Sequence, residues 1–278
     1  ASSILSNAGE IKNKGIEVDL HTQNINRKDF QWRSDVAFSL NRNKIGELLG
    51  TGDLVSAGLF IGKPLNTFYD YRVTGMWQQE DIDNHTILEG GQAGDYKLDD
   101  VNGDGKITSD SDRVFIGSKN PNFSWSWTNT FTYKEFSLIV YLYSVWGGNG
   151  HYLSGGNVPY QYAYTGRTDI NVPVYDYWTP ENTGAVFPRV LYNADARYQG
   201  VKYFDRSFVK LQKIALSYDL SRFVRPKGIN NLRVTLSADN LLTYAPHWIG
   251  LDPETESGLN ATSVPSIRTY LLSASFDF

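Results

Sequence analysis

From Tyr270 to the last residue, apolar and polar side chains alternate without a break. Tyr270, Leu272, Ala274, Phe276 and Phe278 share one face, and Leu271, Ser273, Ser275 and Asp277 share the other. A period of two is that of a β-strand with one apolar and one wet side. An exposed apolar edge is an aggregation hazard in a soluble protein, whereas a lipid-facing strand of a transmembrane barrel requires this pattern. The alternation recurs in three earlier pairs. Gly15–Asn26 sets Ile16, Val18 and Leu20 against Glu17, Asp19 and His21, and after a short turn Phe30–Leu40 continues it. Phe123–Tyr133 and Phe136–Trp146 are separated only by Lys134 and Glu135. Phe208–Leu220 and Leu232–Leu242 are joined through Ser221 to Asn231. The pattern predicts roughly seven spanning strands of about 9–12 residues, the length a tilted strand needs to cross hydrocarbon.

The connections alternate as well. Those after the first member of each pair are short; residues 45–122, 147–207 and 245–268 form long ones rich in Gly, Asp, Asn or Pro. A sandwich has no reason to sort its loops by length at each end. A transmembrane barrel does, with short periplasmic turns and long extracellular loops. The fold expected is therefore all-β, an antiparallel up-and-down transmembrane β-barrel segment with long extracellular loops. Trp32, Phe38, Trp127, Leu216 and Phe276 are expected to touch hydrocarbon. No apolar run is long enough for a transmembrane helix.

Composition adds limits. Aromatic residues are plentiful, with 18 Tyr, 14 Phe and 7 Trp among 278 residues, as interfacial girdles require. Mean hydropathy is −0.38, but alternating faces cancel in that average. Cysteine is absent, which removes thiol catalysis and thiolate metal sites. The net charge of −4 and the lack of a basic patch in sequence argue against nucleic acid as a partner. The chain opens on Ala1-Ser-Ser-Ile with no signal peptide, so an exported protein of this type is expected to have further sequence upstream.

The strongest chemical motif runs from Asp100 to Asp112. Asp100, Asn102 and Asp104 occupy positions 1, 3 and 5 of an EF-hand-type loop, Gly105 supplies the sharp turn, and the Lys106 carbonyl is the next oxygen. Hard oxygens at that spacing suit a structural Ca²⁺. Position 12 is Ser111, so Asp112 would have to reach in from one residue further; the alternative is a metal-free polar turn. Tyr160, Tyr162, Tyr164, Tyr175, Tyr177 and Trp178 cluster in the second long connection, and Trp248 sits in the third. Tyr160, Tyr162, Tyr164, Trp178 and Trp248 are candidates for contact with cargo or a partner, the alternative being that they pack the loops. His21, His85, His151 and His247 lack ligand spacing, and no G-x-S-x-G elbow occurs. No catalytic residue is expected, and the chain is not read as an enzyme.

Several segments carry a resemblance. Asn13-Lys-Gly-Ile-Glu-Val-Asp-Leu20, Gly62 to Gln78, Gly94 to Ile107, Arg113 to Phe123, Tyr177 to Asn182, Leu232 to Tyr244 and Leu251 to Glu254 resemble, in order, the motifs of SusC/RagA-family TonB-dependent outer-membrane transporters. The resemblance implies that residues 1–278 are the C-terminal portion of a barrel of about 22 strands around a plugged lumen, lacking the signal peptide, TonB box and plug. It implies import of glycans or peptides at a Gram-negative outer membrane. The partners implied are a SusD-like surface lipoprotein, outer-membrane lipid and, through the absent plug, TonB–ExbB–ExbD. Two rivals are a passive porin-like channel and a soluble calcium-dependent carbohydrate-binding β-sandwich.

Overall fold

The computed structural model describes residues 9–48, 50, 52–88, 90–151, 176–189, 202–224, 231–249, 252–254 and 266–277. In chain order its strands are β1 (Gly9–Asn26), β2 (Phe30–Leu48), β3 (Thr67–Tyr71), β4 (Val73–Met76), β5 (Tyr96–Leu98), β6 (Arg113–Ser118), β7 (Phe123–Tyr133), β8 (Phe136–Trp146), β9 (Asn149–His151), β10 (Tyr203–Asp205), β11 (Phe208–Asp219), β12 (Asn231–Tyr244) and β13 (Thr269–Asp277). Two short helices, α1 (Gln79–Asp83) and α2 (Ser221–Val224), lie in connections.

Seven strands make one sheet in the order β1-β2-β7-β8-β11-β12-β13. Every adjacent pair is antiparallel, so the wall is up-and-down, as the alternation predicts. The register aligns an apolar row from every one of the seven strands on one side, while β8 also carries Ile139, Tyr141, Tyr143 and Val145 on the other. Leu20 stands opposite Val36, Val36 opposite Trp127, and Trp127 opposite Leu142. Lower down, Leu138, Leu216, Leu236 and Leu272 form a continuous row. This side is exposed: Trp127 at 39%, Leu216 at 46% and Phe276 at 51%, with Trp32 and Phe38 half-covered by neighbouring rings. No second layer of sheet covers it among the described residues. A sandwich, by contrast, buries the apolar faces of its sheets against each other.

Aromatics bracket the apolar side at two levels. Toward the short turns lie Trp32 stacked on Phe131 at 5.7 Å and Phe136 on Tyr218 at 4.5 Å. Toward the long connections lie Phe38 on Phe123 at 5.8 Å and Phe123 on Trp146 at 6.2 Å. Aliphatic residues fill the band between. One polar knot interrupts it. Asn129 Oδ1 accepts from Trp32 Nε1 at 2.9 Å and from Ser34 Oγ at 2.8 Å, and Asn24 Nδ2 donates to Ser34 Oγ. These partners satisfy groups that an apolar medium would otherwise leave unbonded.

In β11 the register slips between Leu211 and Lys213 against both neighbours. This bulge resets the side-chain parity. It lets Val209 and Leu211 share the apolar side with Ile214 and Leu216, although their numbers are odd and even. Asn240, at φ 56 in the facing strand, accepts from Gln212 Nε2 across the irregularity.

The strands β1 and β2 are longer than the alternation indicates, at 18 and 19 residues. Only about 9–11 are needed to cross hydrocarbon. The surplus, Gly9 to Gly15 against Asn41 to Leu48, projects at the end of the long connections and is mostly polar.

Candidate functional site

The first long connection is a folded body, not a bare loop. β3 pairs with β6 and β4 with β5. Tyr96, Leu98 and Ile107 form a buried core against Tyr71, Val73, Met76 and Leu88. Phe60, Tyr69 and Phe115 pack ring to ring at 5.0 Å, with Lys63 over Phe115 and Arg113 over Tyr69. These contacts anchor a connection that the sequence marks as rich in Gly, Asp and Asn, with short strand-like pieces such as Thr67 to Trp77.

The connections are also bonded to one another. Arg189 Nε donates to Asp95 Oδ1 at 2.9 Å, and Gln78 Nε2 donates to the Thr183 carbonyl. Tyr203 donates its hydroxyl to Asp70 Oδ2 at 2.9 Å while its ring lies 4.5 Å from Phe68. Burial, then the charge of Asp70, raises the Tyr203 hydroxyl well above the usual phenol range. Arg206 Nε donates to the Pro253 carbonyl. Segments 55 to 122, 176–189, 203–207 and 252–254 thus meet in one rim.

A buried ion cluster ties that rim to the sheet. Lys210, on the polar side of β11, is 1% exposed. Its Nζ donates to both Asp252 oxygens, at 3.1 and 3.4 Å, and to Glu254. Asp252 also accepts from the backbone N–H of Glu254 and of Ser266. Burial alone would raise the Asp252 carboxyl; the hydrogen bonds and the Lys210 charge outweigh it and hold it below the usual carboxylate range. Nothing in the alternation marks Lys210. A cation between Val209 and Leu211 two residues into a strand is the signal that could have found it.

Two concavities open on this side. An open cleft of about 480 Å³ is lined by Lys63, Thr67, Asn120, Asn122, Asn149 and Asp205, among others, at the junction of rim and sheet. A shallower groove of about 220 Å³ runs along the polar face beside Glu17, Asp19, Ser39, Ser124, Tyr141 and Tyr143. Polar donors and acceptors with a few rings can hold hydrated, hydroxyl- or amide-rich molecules.

The loop from Asp100 divides into two halves. In the first, Asp100 accepts the N–H groups of Gly103, Asp104 and Gly105, and Gly103 and Gly105 have φ of 72° and 78°, values glycine adopts without strain. Asn102 Nδ2 donates to Asp104 Oδ2 at 2.9 Å, and Lys106 N–H donates to Asp104 Oδ1. These bonds, the Asn102 one first, hold the Asp104 carboxyl below its ordinary value. In this half the carboxylate oxygens of Asp100 and Asp104 are engaged by the loop's own N–H groups. The second half does not supply the closing acid. Asp112 is fully buried and accepts the N–H groups of Val101 at 3.0 Å and Thr108 at 2.6 Å. The reach toward a metal expected of Asp112 is thus replaced by a staple across the loop's own backbone. Among the described residues no three His, Cys, Asp or Glu are grouped to hold a metal ion.

Of the aromatic candidates, Tyr160, Tyr162 and Tyr164, with Tyr175, lie outside the described residues. Trp178 and Trp248 are each 7% exposed. Trp178 Nε1 donates to Gln78 Oε1, and its ring fills the space where a side chain at Gly94 would stand. The Arg206 guanidinium lies 6.0 Å from the Trp248 ring. Both indoles are packing residues of the rim, which corrects their reading as cargo contacts.

No protein-family model matches the chain. Curated relatives do. It is 28% identical to TonB-dependent receptor P3 of Formosa agariphila over its full length and 30% of that protein. It is 25% identical to TonB-dependent receptor SusC of Bacteroides thetaiotaomicron, again over its full length and 27% of that protein. A solved structure of the RagAB peptide transporter aligns over 98% of the chain, with a TM-score of 0.69 and 21% identity, and is covered to 30%. The chain is SusC/RagA-like. The motif resemblance therefore stands, as does the all-β antiparallel fold. This SusC/RagA-like chain spans about 30% of the length of the curated relatives. The curated relatives are receptors by name.

Proposed function

We propose that this chain is the C-terminal portion of an outer-membrane, TonB-dependent importer of peptides or glycans, working with a surface lipoprotein of the SusD type. The observation that carries the reading is the sorting of the wall. One side is apolar between two aromatic levels; the other is polar and leads to a rim of cross-bonded connections. In this arrangement the sheet faces lipid outward and cargo inward, and the rim is the landing surface for the lipoprotein. Peptide is favoured by likeness to the RagAB peptide transporter; glycan rests on the motif resemblance to the SusC/RagA family alone.

Uptake by cells expressing the full-length receptor tests this. Labelled oligopeptides and oligosaccharides are offered with and without a protonophore. Import of one class, abolished when the proton gradient collapses, is expected. Flux that ignores the gradient would make the protein a passive channel.

We extend the reading to calcium. Asp100, Asn102, Asp104 and the Lys106 carbonyl would hold the ion, and Asp112 would brace the loop behind them. Bound calcium would cross-link carboxylates in a segment already anchored by Ile107, so its role would be to stiffen. With calcium present, cleavage by a protease within 95–120 is expected to slow several-fold relative to chelator, with the strands intact in both. Equal cleavage would remove the ion from the account.

A further inference from the structure

The projecting ends of β1 and β2 carry a feature that the linear sequence conceals. Lys12 stands directly opposite Lys44, and Lys14 directly opposite Arg42. All four are exposed. Lys12 and Lys14 continue the same side of β1 as Ile16, Val18 and Leu20. Arg42 and Lys44 likewise continue that of Phe38 and Leu40. The quartet therefore sits on the apolar, outward side of the wall. Lys14 and Arg42 lie two residues past Ile16 and Leu40, about 7 Å along the strands, beyond the aromatic level of Phe38, Phe123 and Trp146.

Like charges directly across a strand pair destabilise it. The relief available from the protein is small. Lys12 Nζ lies 3.5 Å from Glu10. Arg42 Nη1 donates to the carbonyl oxygens of Asn41, Pro121 and Asn122, which fixes its guanidinium beside the start of β7. Arg and Lys on one face at this spacing match phosphate oxygens.

We propose that Lys12, Lys14, Arg42 and Lys44 form a docking surface for phosphate-bearing glycolipid headgroups of the outer leaflet. The charge and its position both select this occupant. The patch is continuous with the apolar belt, so a lipid whose chains lie along Ile16, Val18 and Leu20 brings its phosphates to this height. Neutralising the headgroup charge removes the repulsion across the strand pair and holds the lipid against the barrel. The inference rests on the outer-membrane reading above.

The test uses the full-length receptor in nanodiscs of neutral phospholipid doped with bis-phosphorylated lipid A. The comparisons are dephosphorylated lipid A and free inorganic phosphate. Bound lipid per barrel is counted by native mass spectrometry for the wild type and for a variant with all four cations changed to Gln. Retention of heat-modifiable migration on gels shows that the variant is folded. Expected are preference for the phosphorylated lipid, no displacement by millimolar phosphate, and weakening by about fivefold for each cation removed. In the wild type alone, the preference should shrink as salt rises. Equal binding of both lipids by the wild type, or an unchanged preference in the variant, overturns the proposal. So does a barrel dimer that only the variant loses in lipid-free detergent, which would make a second copy the occupant. A receptor that needs no detergent would instead overturn the outer-membrane reading.

Discussion

Replacing Lys210 with Met will release the third long connection from the sheet while the seven strands stay paired. The Lys210 ammonium is the counter-charge for two carboxylates, and the Asp252 side chain is 6% exposed. Met keeps most of the volume and removes the charge. Asp252 is then left buried and uncompensated, a change that costs about 3–5 kcal/mol at buried pairs. Undocking of residues 252–254 is the cheaper escape, because it returns Asp252 to water without separating β11 from β8 or β12. Limited proteolysis of the full receptor in detergent should cut within 245–268 at least tenfold faster in the variant, with unchanged migration of the barrel itself. An unchanged cleavage rate would mean that the ion cluster does not hold the connection.

The same latch has a pH dependence of fixed sign. The Asp252 carboxyl is held below its usual range in the docked state, so the released loop binds a proton more readily than the docked one. The latch therefore contributes fully above the ordinary carboxylate value of about 3.9. It is lost as pH falls through the depressed docked value. Cleavage rates of wild type and Lys210→Met should converge only under such acid conditions.

How far the sequence predicts these features depends on what surrounds each residue. Strand β7 is readable to the residue, because nearly every second side chain is aromatic against Ser and Thr; β8, with Ile139, Tyr141, Tyr143 and Val145 on its other face, is bounded instead by the Lys134-Glu135 turn. In β1 and β2 the alternation stops at Gly15 and Leu40, where the wall leaves the apolar medium. Strand pairing continues, but Lys12, Asn13, Lys14, Asn41, Arg42 and Asn43 carry no apolar period to reveal it. The basic quartet is invisible for a related reason. Its paired members lie far apart in the chain, Lys12 from Lys44 and Lys14 from Arg42, and only the β1–β2 register brings them together. The rim fails differently. Trp178 and Trp248 look like surface aromatics because their partners, Gln78 and Gly94 for one and Arg206 for the other, are remote in sequence. Loop spacing tells where the Asp112 carboxylate sits along the chain, and not that the N–H groups of Val101 and Thr108 bind it.

A second large effect belongs to the apolar band. Leu236 is 56% exposed at the middle of the outward side of β12, between Leu216 and Leu272. Thr235, its neighbour, points to the polar side and shares a hydrogen bond with Ser217, on a face that already carries Arg233 and Asp239. Leu236→Arg places a guanidinium in hydrocarbon and should cost about 2–4 kcal/mol of folding free energy in a bilayer. Thr235→Arg should cost less than about 1 kcal/mol, since the charge stays on the polar face. Guanidinium titration of the full receptor folded into phosphatidylcholine vesicles measures both. The contrast depends on the solvent of each face, not on the strand, because the two residues are adjacent and share the same pairing. A similar cost for both substitutions would mean that the exposed leucines meet another protein surface, and the wall would then have to be explained without lipid. A large cost for Leu236→Arg alone places the boundary between hydrocarbon and water along the backbone of a single strand.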